Sequence, residues 1–367
     1  MTFPVSKFTD IVLDKSGGNK KLSQDSFLSE GTYPVIDQGK NFIAGFINDK
    51  EYLVKSTDLP VVIFGDHTKA IKYVDFPFVM GADGVKVLKP KPECDTKYLY
   101  QYLRYAKIPD AGYSRHYKFL KELNIPLPSL DEQRRIASIL DKADELRQKR
   151  QQAIEKLDQL LQATFIDMFG DPVLNNKKFP TKILGELGNW SSGGTPSRTE
   201  PNYFRGEIPW YTSGELNAVY IEDSIERISE LAIERSSTKL IPVGSLLIGM
   251  YDTAAFKSSI TTIPSACNQA IAFSKLNSNL VNTLYIYFAI QLSKDSLKKM
   301  QRGVRQKNLN LSMVKGISIP IPDIELQNKF AKIHEKFFEQ KVQLNYHDDE
   351  LYKLFKSLQN QAFSGNL

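Results

Sequence analysis

IPLPSLDEQRRIASIL, residues 125–140, returns in altered form as IPIPDIELQNKFAKIH at residues 319–334. The two stretches align without a gap at an offset of 194: Ile-Pro-x-Pro opens both, Gln133 stands opposite Gln327, Ala137 opposite Ala331 and Ile139 opposite Ile333. A second match lies upstream at an offset of 176. There Phe3-Pro4 corresponds to Phe179-Pro180, Phe8 to Leu184, Asp10 to Glu186, and Ser16-Gly17-Gly18 to Ser192-Gly193-Gly194. The offsets differ by 18, so the second copy carries that many extra residues. Two long copies do not make a solenoid. The chain reads instead as block A (1–124), arm A (125–174), block B (175–318) and arm B (319–367), a pseudo-twofold repeat inside one polypeptide.

The arms read as helices. Ser129-Leu130-Asp131-Glu132 has the S-x-x-E spacing of a capping box, in which the two side chains satisfy free amides at a helix start. In arm A one heptad column holds Ile136, Ala143, Arg150, Leu157 and Thr164, and a second holds Ile139, Leu146, Ala153 and Leu160. Gly170 and Asp171-Pro172 are stop signals. In arm B the columns are Phe330, Phe337, Leu344, Leu351 and Leu358, then Ile333, Gln340, His347, Leu354 and Gln361. A helix of roughly 35 residues is about 52 Å long. Such a helix is too long to pack along a block of this size, so the stripe calls for a second helix. Polar entries such as Arg150, Gln340 and His347 fit a coiled coil, where they set register. The arms are expected to pair with each other.

LPVVIFGDHT (59–68) and GSLLIGMYDT (244–253) contain short apolar runs that read as buried strands. DTKYLYQYLRYA (95–106) and the run from Leu280 to Met300 read as helices with aromatic faces. The fold class is therefore α+β: two globular mixed α/β blocks joined by two long coiled-coil helices.

Net charge is +6, unevenly spread. Block A carries 18 basic and 15 acidic side chains, and block B carries 17 and 11. Both arms are slightly acidic, with 7 basic against 9 acidic residues in arm A and 6 against 7 in arm B. Two basic blocks are compatible with a polyanionic partner. No apolar run reaches the length of a membrane span, MTFPVSKFTD has no signal-peptide core, and two cysteines, Cys94 and Cys267, suit a reducing cytoplasm. Four histidines and two cysteines form no metal-binding cluster.

Catalytic motifs are missing too. There is no Pro-Pro-aromatic loop of a base methyltransferase, no P-loop and no G-x-S-x-G elbow. Asp95-Thr96-Lys97 has the acidic-x-Lys ending of a metal nuclease, without the Pro-Asp that should precede it. What the sequence does hold is basic loop chemistry. KDSLKKMQRGVRQK, 294–307, has six basic side chains against one acid, and AGYSRHYKFLK occupies the matching place in block A. Arginine pairs with guanine, lysine neutralises phosphate, and glutamine or asparagine pairs with adenine.

The Ile-Pro-Leu-Pro-Ser-Leu-Asp-Glu-Gln-Arg-Arg-Ile-Ala stretch, with heptads behind it, resembles the conserved region of the specificity subunit of Type I restriction-modification enzymes. The resemblance spans essentially the whole chain and includes Ser-Gly-Gly-Thr-Pro at 192–196. In the second copy Leu326 replaces Glu132 and Asn328 replaces Arg134, so the capping box is lost there. The resemblance implies two target recognition domains, each reading one half of a bipartite double-stranded DNA site. It implies arms that form an antiparallel pair of coiled-coil helices, fix the spacing of those domains and dock two methyltransferase subunits, and restriction (translocase-nuclease) subunits that join for cleavage. S-adenosylmethionine would then belong to the methyltransferase, ATP and Mg²⁺ to the nuclease, and no cofactor to this chain. Half-sites on one face of the duplex lie about 34–36 Å apart, within reach of such helices. Unequal blocks predict an asymmetric target. The expected DNA contacts in block A are His67, Lys69, Arg115, His116 and Lys118. In block B they are Arg198, Tyr211, Tyr251, Lys257, Arg302, Arg305 and Lys307. A coiled-coil scaffold without DNA binding explains the arms and not the paired basic blocks. A single-chain DNA-modifying enzyme is the other alternative.

Overall fold

Ile-Pro-x-Pro begins as a strand. Asn124–Pro126 pairs antiparallel with Val5–Lys7, and in the second copy Ser318–Pro320 pairs antiparallel with Thr181–Ile183. The front and back of each repeat are thus tied together where the arm helix starts. The computed structural model describes residues 3–55, 59–81, 84–112, 114–299 and 308–367. The chain divides into two compact units: unit 1, Met1–Gln152 with Leu344–Leu367, and unit 2, Ala153–Gln343. Each arm is shared, with half of it in either unit.

In unit 1 the strands Val12–Asp14, Val85–Pro90, Val61–Gly65 and Ile71–Val74 form an antiparallel sheet in that order. Every residue of Val61–Gly65 is buried, because alternate side chains enter two different cores. Val62 and Phe64 face the helix Thr96–Tyr105, while Val61 and Ile63 join Ile36, Phe78 and Met80. A second sheet places Tyr33–Ile36 between Gly45–Ile47 (antiparallel) and Val79–Met80 (parallel).

Unit 2 follows the same plan. Its larger sheet runs Ser191–Ser192, Ile271–Ser274, Leu246–Gly249, Ser258–Thr261, Tyr220–Ile221. Leu246 and Ile248 face the helix Thr283–Lys298, and Leu247 faces the opposite core. A three-stranded sheet again contains one parallel pair, Ile208–Tyr211 with Ala266–Cys267.

The repeat extends to buried hydrogen bonds. Asp95 caps the helix Thr96–Tyr105, its carboxylate accepting from Tyr98 N–H at 3.0 Å, and Asn282 caps Thr283–Lys298 through Leu284 N–H at 3.0 Å. Each capping residue's own N–H donates to a buried glutamine from the arm: Asp95 to Gln133 Oε1 and Asn282 to Gln327 Oε1, both at 2.8 Å. The amide ends of these glutamines donate back to Pro128 O at 2.8 Å and Pro322 O at 2.7 Å. Tyr98 and Tyr285 donate to Pro126 O (2.7 Å) and Pro320 O (2.6 Å) at equivalent places.

Arm helix A is Leu130–Phe169 and arm helix B is Ile324–Ser364. Gly170 ends the first with φ +74°, its N–H donating to Ile166 O at 2.7 Å. The capping box is half made. Ser129 Oγ accepts from Glu132 N–H at 3.4 Å, while the Glu132 carboxylate accepts from Arg135 at 2.7 and 2.8 Å.

The helices pair antiparallel. In unit 2, Phe165 stands edge-on to Phe330 at 5.3 Å, and about two turns upstream Asp158 accepts from Lys341 at 2.7 Å. In unit 1, Arg147 lies over Tyr352 (5.5 Å) and Phe355 (5.2 Å), and Arg135 donates to Leu367 O at 2.8 Å.

The seam corrects one heptad column in each arm. Ile136, Ala143, Leu157, Phe330, Phe337, Leu344 and Leu351 are all at least half-buried. Their companions are Leu140, Ile154 and Leu161 in arm A and His334, Lys341, Phe355 and Ala362 in arm B, one residue beyond the expected second column. Leu146, Leu160 and Leu354 are 59%, 54% and 54% exposed, and Ile139, Ala153 and Ile333 flank the seam. The reason is physical. A seam can run to either side of a given column at spacing 3 or 4, and in arm A the true side includes charged Arg147, which made the all-apolar side look like the core. The His347 side chain lies outside those described.

Candidate nucleic-acid interface

Both large sheets present the same construction at one edge. In unit 1 the strand Val61–Gly65 exits into a tight hairpin loop, 66–70, closed by Gly65 N–H to Ala70 O and Lys69 N–H to Gly65 O, both 2.8 Å. Lys69 takes φ +59° to make that turn. Asp66 is buried at the strand exit and makes three bonds to two segments: its N–H donates to Gly84 O at 2.7 Å, its carbonyl accepts from His116 N–H at 2.8 Å, and its carboxylate accepts from Tyr117 N–H at 2.7 Å. The return stretch 115–118 is thereby stitched to the hairpin loop. Gln38 supports the loop from below: its Oε1 accepts from His67 N–H at 3.2 Å and its carbonyl from the Thr68 hydroxyl.

In unit 2 the strand Leu246–Gly249 exits into the loop 250–257. Gly249 N–H donates to Lys257 O and Phe256 N–H to Gly249 O, at 2.8 and 2.9 Å, and Phe256 takes φ +62° as Lys69 does. Met250 occupies the Asp66 place: its N–H donates to Ala270 O at 2.8 Å and its carbonyl accepts from Leu309 N–H at 2.7 Å. Arg302, Arg305 and Lys307 lie outside the described residues; the chain that follows them is anchored at the strand exit through Leu309.

The structure sorts the remaining expected contacts. Arg115 and Lys118 are exposed on the return stretch, with Lys118 Nζ 4.9 Å from the Phe119 ring. His67 is half-buried in the hairpin loop, and Lys69 pairs with exposed Asp110 at 3.1 Å, which holds that carboxyl below its ordinary range. Tyr251 is 38% exposed in the matching loop of unit 2. Lys257 is half-buried and donates to Asn217 Oδ1 at 2.7 Å and Gly214 O at 3.2 Å.

Two expectations are corrected. His116 is 1% exposed, its Nδ1 lies 3.0 Å from Asp66 O and its Nε2 accepts from Ala111 N–H at 3.4 Å, so it braces the loop from inside. Tyr211 is fully buried, and burial pushes its hydroxyl pKa up to about 12. Arg198, exposed on its loop, makes a two-pronged ion pair with Glu226, 2.7 Å from Nη2, and covers the Phe204 ring at 4.3 Å. Sequence reading placed His116 and Tyr211 both in polar stretches, which does not decide whether a side chain faces inward. Asp66 was within reach of it, standing between an apolar strand and the polar loop, where a buried carboxylate must find donors.

Cys94 and Cys267 are buried and free, and burial raises both thiols, Cys94 to about 12. Among the described residues no cluster of His, Cys, Asp and Glu is placed to hold a metal ion, and no helix is long and apolar enough to cross a membrane.

Residues 3–156 and 176–350 each match the family model described as Type I restriction modification DNA specificity domain. The chain is 29% identical over 332 residues to the Type I restriction enzyme EcoR124I/EcoR124II specificity subunit of Escherichia coli, covering 83% of this chain and 79% of that protein. Identity to the MjaVIII specificity subunit of Methanocaldococcus jannaschii is 21% over 378 residues, covering 92% and 87%. In fold, the chain matches a crystal structure of the Type I restriction-modification S subunit from M. genitalium with a TM-score of 0.64 at 18% identity, over 99% of this chain and 96% of that one.

Proposed function

Because the chain belongs to the family of Type I restriction-modification DNA specificity subunits, we propose that each unit reads one half of a bipartite, asymmetric duplex target. The reading surface is the sheet edge just described: hairpin loop, return stretch and the neighbouring strand-end loop. The observation that carries this is one framework holding two chemistries. At equivalent strand exits unit 1 offers His67, Lys69 and Arg115, whereas unit 2 offers Tyr251 and Lys257. A shared scaffold with unlike side chains at its rim is what two unlike half-sites require. Lysine and arginine position the backbone, and a few polar groups discriminate base edges.

The chain itself is non-catalytic in this reading. Two methyltransferase subunits dock along the arms and bring S-adenosylmethionine; restriction subunits join through them with ATP and Mg²⁺. Leu160, more than half exposed on arm helix A, supplies apolar surface outside the intramolecular seam for such docking.

The test is to incubate the purified chain with DNA and S-adenosylmethionine, with and without the methyltransferase subunit that co-purifies with it. Methylation should require the partner and occur at one bipartite sequence. Methylation by the chain alone would overturn the division of labour.

A further inference from the structure

Ser-Gly-Gly-Thr-Pro, 192–196, sits at the same sheet edge, and it holds a particular side chain. The strand Ser191–Ser192 pairs with Ile271–Ser274, so residues 193–195 leave the sheet beside the loop 268–270. Gly193 N–H donates to Ile271 O at 3.2 Å and Gly194 N–H to Cys267 O at 2.9 Å. This close approach demands glycine. A Cβ at 193 would lie 2.2 Å from Cys267 O and 2.4 Å from Asn268 O, and one at 194 would lie 2.6 Å from Ser237 O. Two buried donors fix the loop from the other side: the Trp210 indole N–H and the Thr238 hydroxyl both reach Gly194 O at 3.0 Å. The next residue, Thr195, is exposed, and its hydroxyl donates to Oε1 of exposed Gln269.

Gln269 is itself held by its neighbours. Asn268 N–H donates to Tyr211 O at 2.9 Å, Asn268 Oδ1 accepts from Ala270 N–H at 3.1 Å, and Ala270 O accepts from Met250 N–H at 2.8 Å. The side chain therefore projects from a fixed loop one residue from the link to the Met250 strand exit. The Thr195 hydroxyl takes one lone pair of Oε1 and restrains the amide, leaving the other lone pair and the Nε2 hydrogens for a ligand.

The geometry points to Gln269 as a base-reading residue of unit 2, taking the N6 and N7 edge of an adenine in the major groove, with Thr195 as its positioning residue. This rests on the DNA-reading function proposed above. An accepting oxygen and a donating nitrogen side by side are what adenine's N6–H and N7 require, and a side chain already oriented loses little freedom on binding.

The test is selection of sequences from a random duplex library by the full-length chain with its co-purified methyltransferase, wild type against Gln269→Ala, Gln269→Glu, Thr195→Val and Thr195→Ser. Gln269→Ala should leave the recovered motif intact except at one adenine, where preference falls about ten- to a hundred-fold. Gln269→Glu should move that position toward cytosine, whose amino group needs only an acceptor. Thr195→Val should blur the same position more weakly, and Thr195→Ser, which keeps the hydroxyl, should not. Emission from Trp210, bonded to the loop, checks that the variants fold. A motif unchanged by Gln269→Ala, or an equal loss on all sequences, overturns the assignment while leaving the DNA-reading function standing. A wild-type complex that selects no sequence overturns both.

Discussion

Gln133→Ala removes a side chain that is fully buried and makes three hydrogen bonds: it accepts from Asp95 N–H at 2.8 Å and donates to Pro128 O at 2.8 Å and Glu93 O at 3.0 Å. The methyl group that replaces it satisfies none of them. At about 1 kcal/mol net for each lost bond, the start of the helix Thr96–Tyr105 should lose about 3 kcal/mol. Gln327→Ala removes two such bonds, from Asn282 N–H and to Pro322 O, and should cost about 2 kcal/mol by the same arithmetic. Hydrogen exchange followed by mass spectrometry reads each unit by itself, which matters because a chain of two units has no single unfolding free energy. Protection at the start of Thr96–Tyr105 should fall about a hundred-fold in Gln133→Ala, and at the start of Thr283–Lys298 about thirty-fold in Gln327→Ala, since 1.4 kcal/mol is a factor of ten. Less than a three-fold change in Gln133→Ala, or a larger loss in Gln327→Ala, would refute the reasoning that these glutamines latch each arm to its helix cap.

Unit 2 should also weaken in mild acid. His334 is 2% exposed, and burial, with a smaller contribution from Lys341, lowers its pKa to about 4 from an ordinary 6.5. The unfolded chain binds this proton more readily than the folded one, so the stability contributed by neutral His334 is whole above pH 6.5. It declines as pH falls toward 4, by at most about 3 kcal/mol. Both tryptophans, Trp190 and Trp210, lie in unit 2, so denaturant titrations followed by tryptophan emission report it directly. His334→Leu, which copies Leu140 at the matching place in arm A, should flatten the acid limb. The arm register predicts opposite outcomes for neighbours: Leu161→Glu, 8% exposed, should cost more than about 3 kcal/mol, whereas Leu160→Glu, 54% exposed, should stay within about 0.5 kcal/mol. Circular dichroism melts separate these, and a stable Leu160→Glu chain that no longer co-purifies with a methyltransferase would place the docking surface on that face.

Much of the architecture was legible because the chain states it twice. The paired Ile-Pro-x-Pro motifs, the apolar runs at 61–65 and 246–249 and the long arms each carry a periodic or repeated signal that packing obeys. The match of Gln133 to Gln327 was visible as well, but not its meaning, since a glutamine on a helix gives no hint that it bonds a distant capping residue. The second seam column was missed by one residue because apolarity alone does not choose between spacings of three and four. The interface was legible at the level of segments, less so at the level of side chains. Strand exits and the return stretch 115–118 converge, yet His116 and Tyr211 turn inward. Burial decides that, and it depends on contacts tens of residues away, such as Asp66 for His116.

The central claim is that two unlike readers on one framework address one duplex. Mapping methylated positions across genomic DNA modified by the complete complex tests it most directly. The account predicts a single motif made of two different short sequences separated by a constant number of unread base pairs. A palindromic motif, or one uninterrupted recognition sequence, would contradict it.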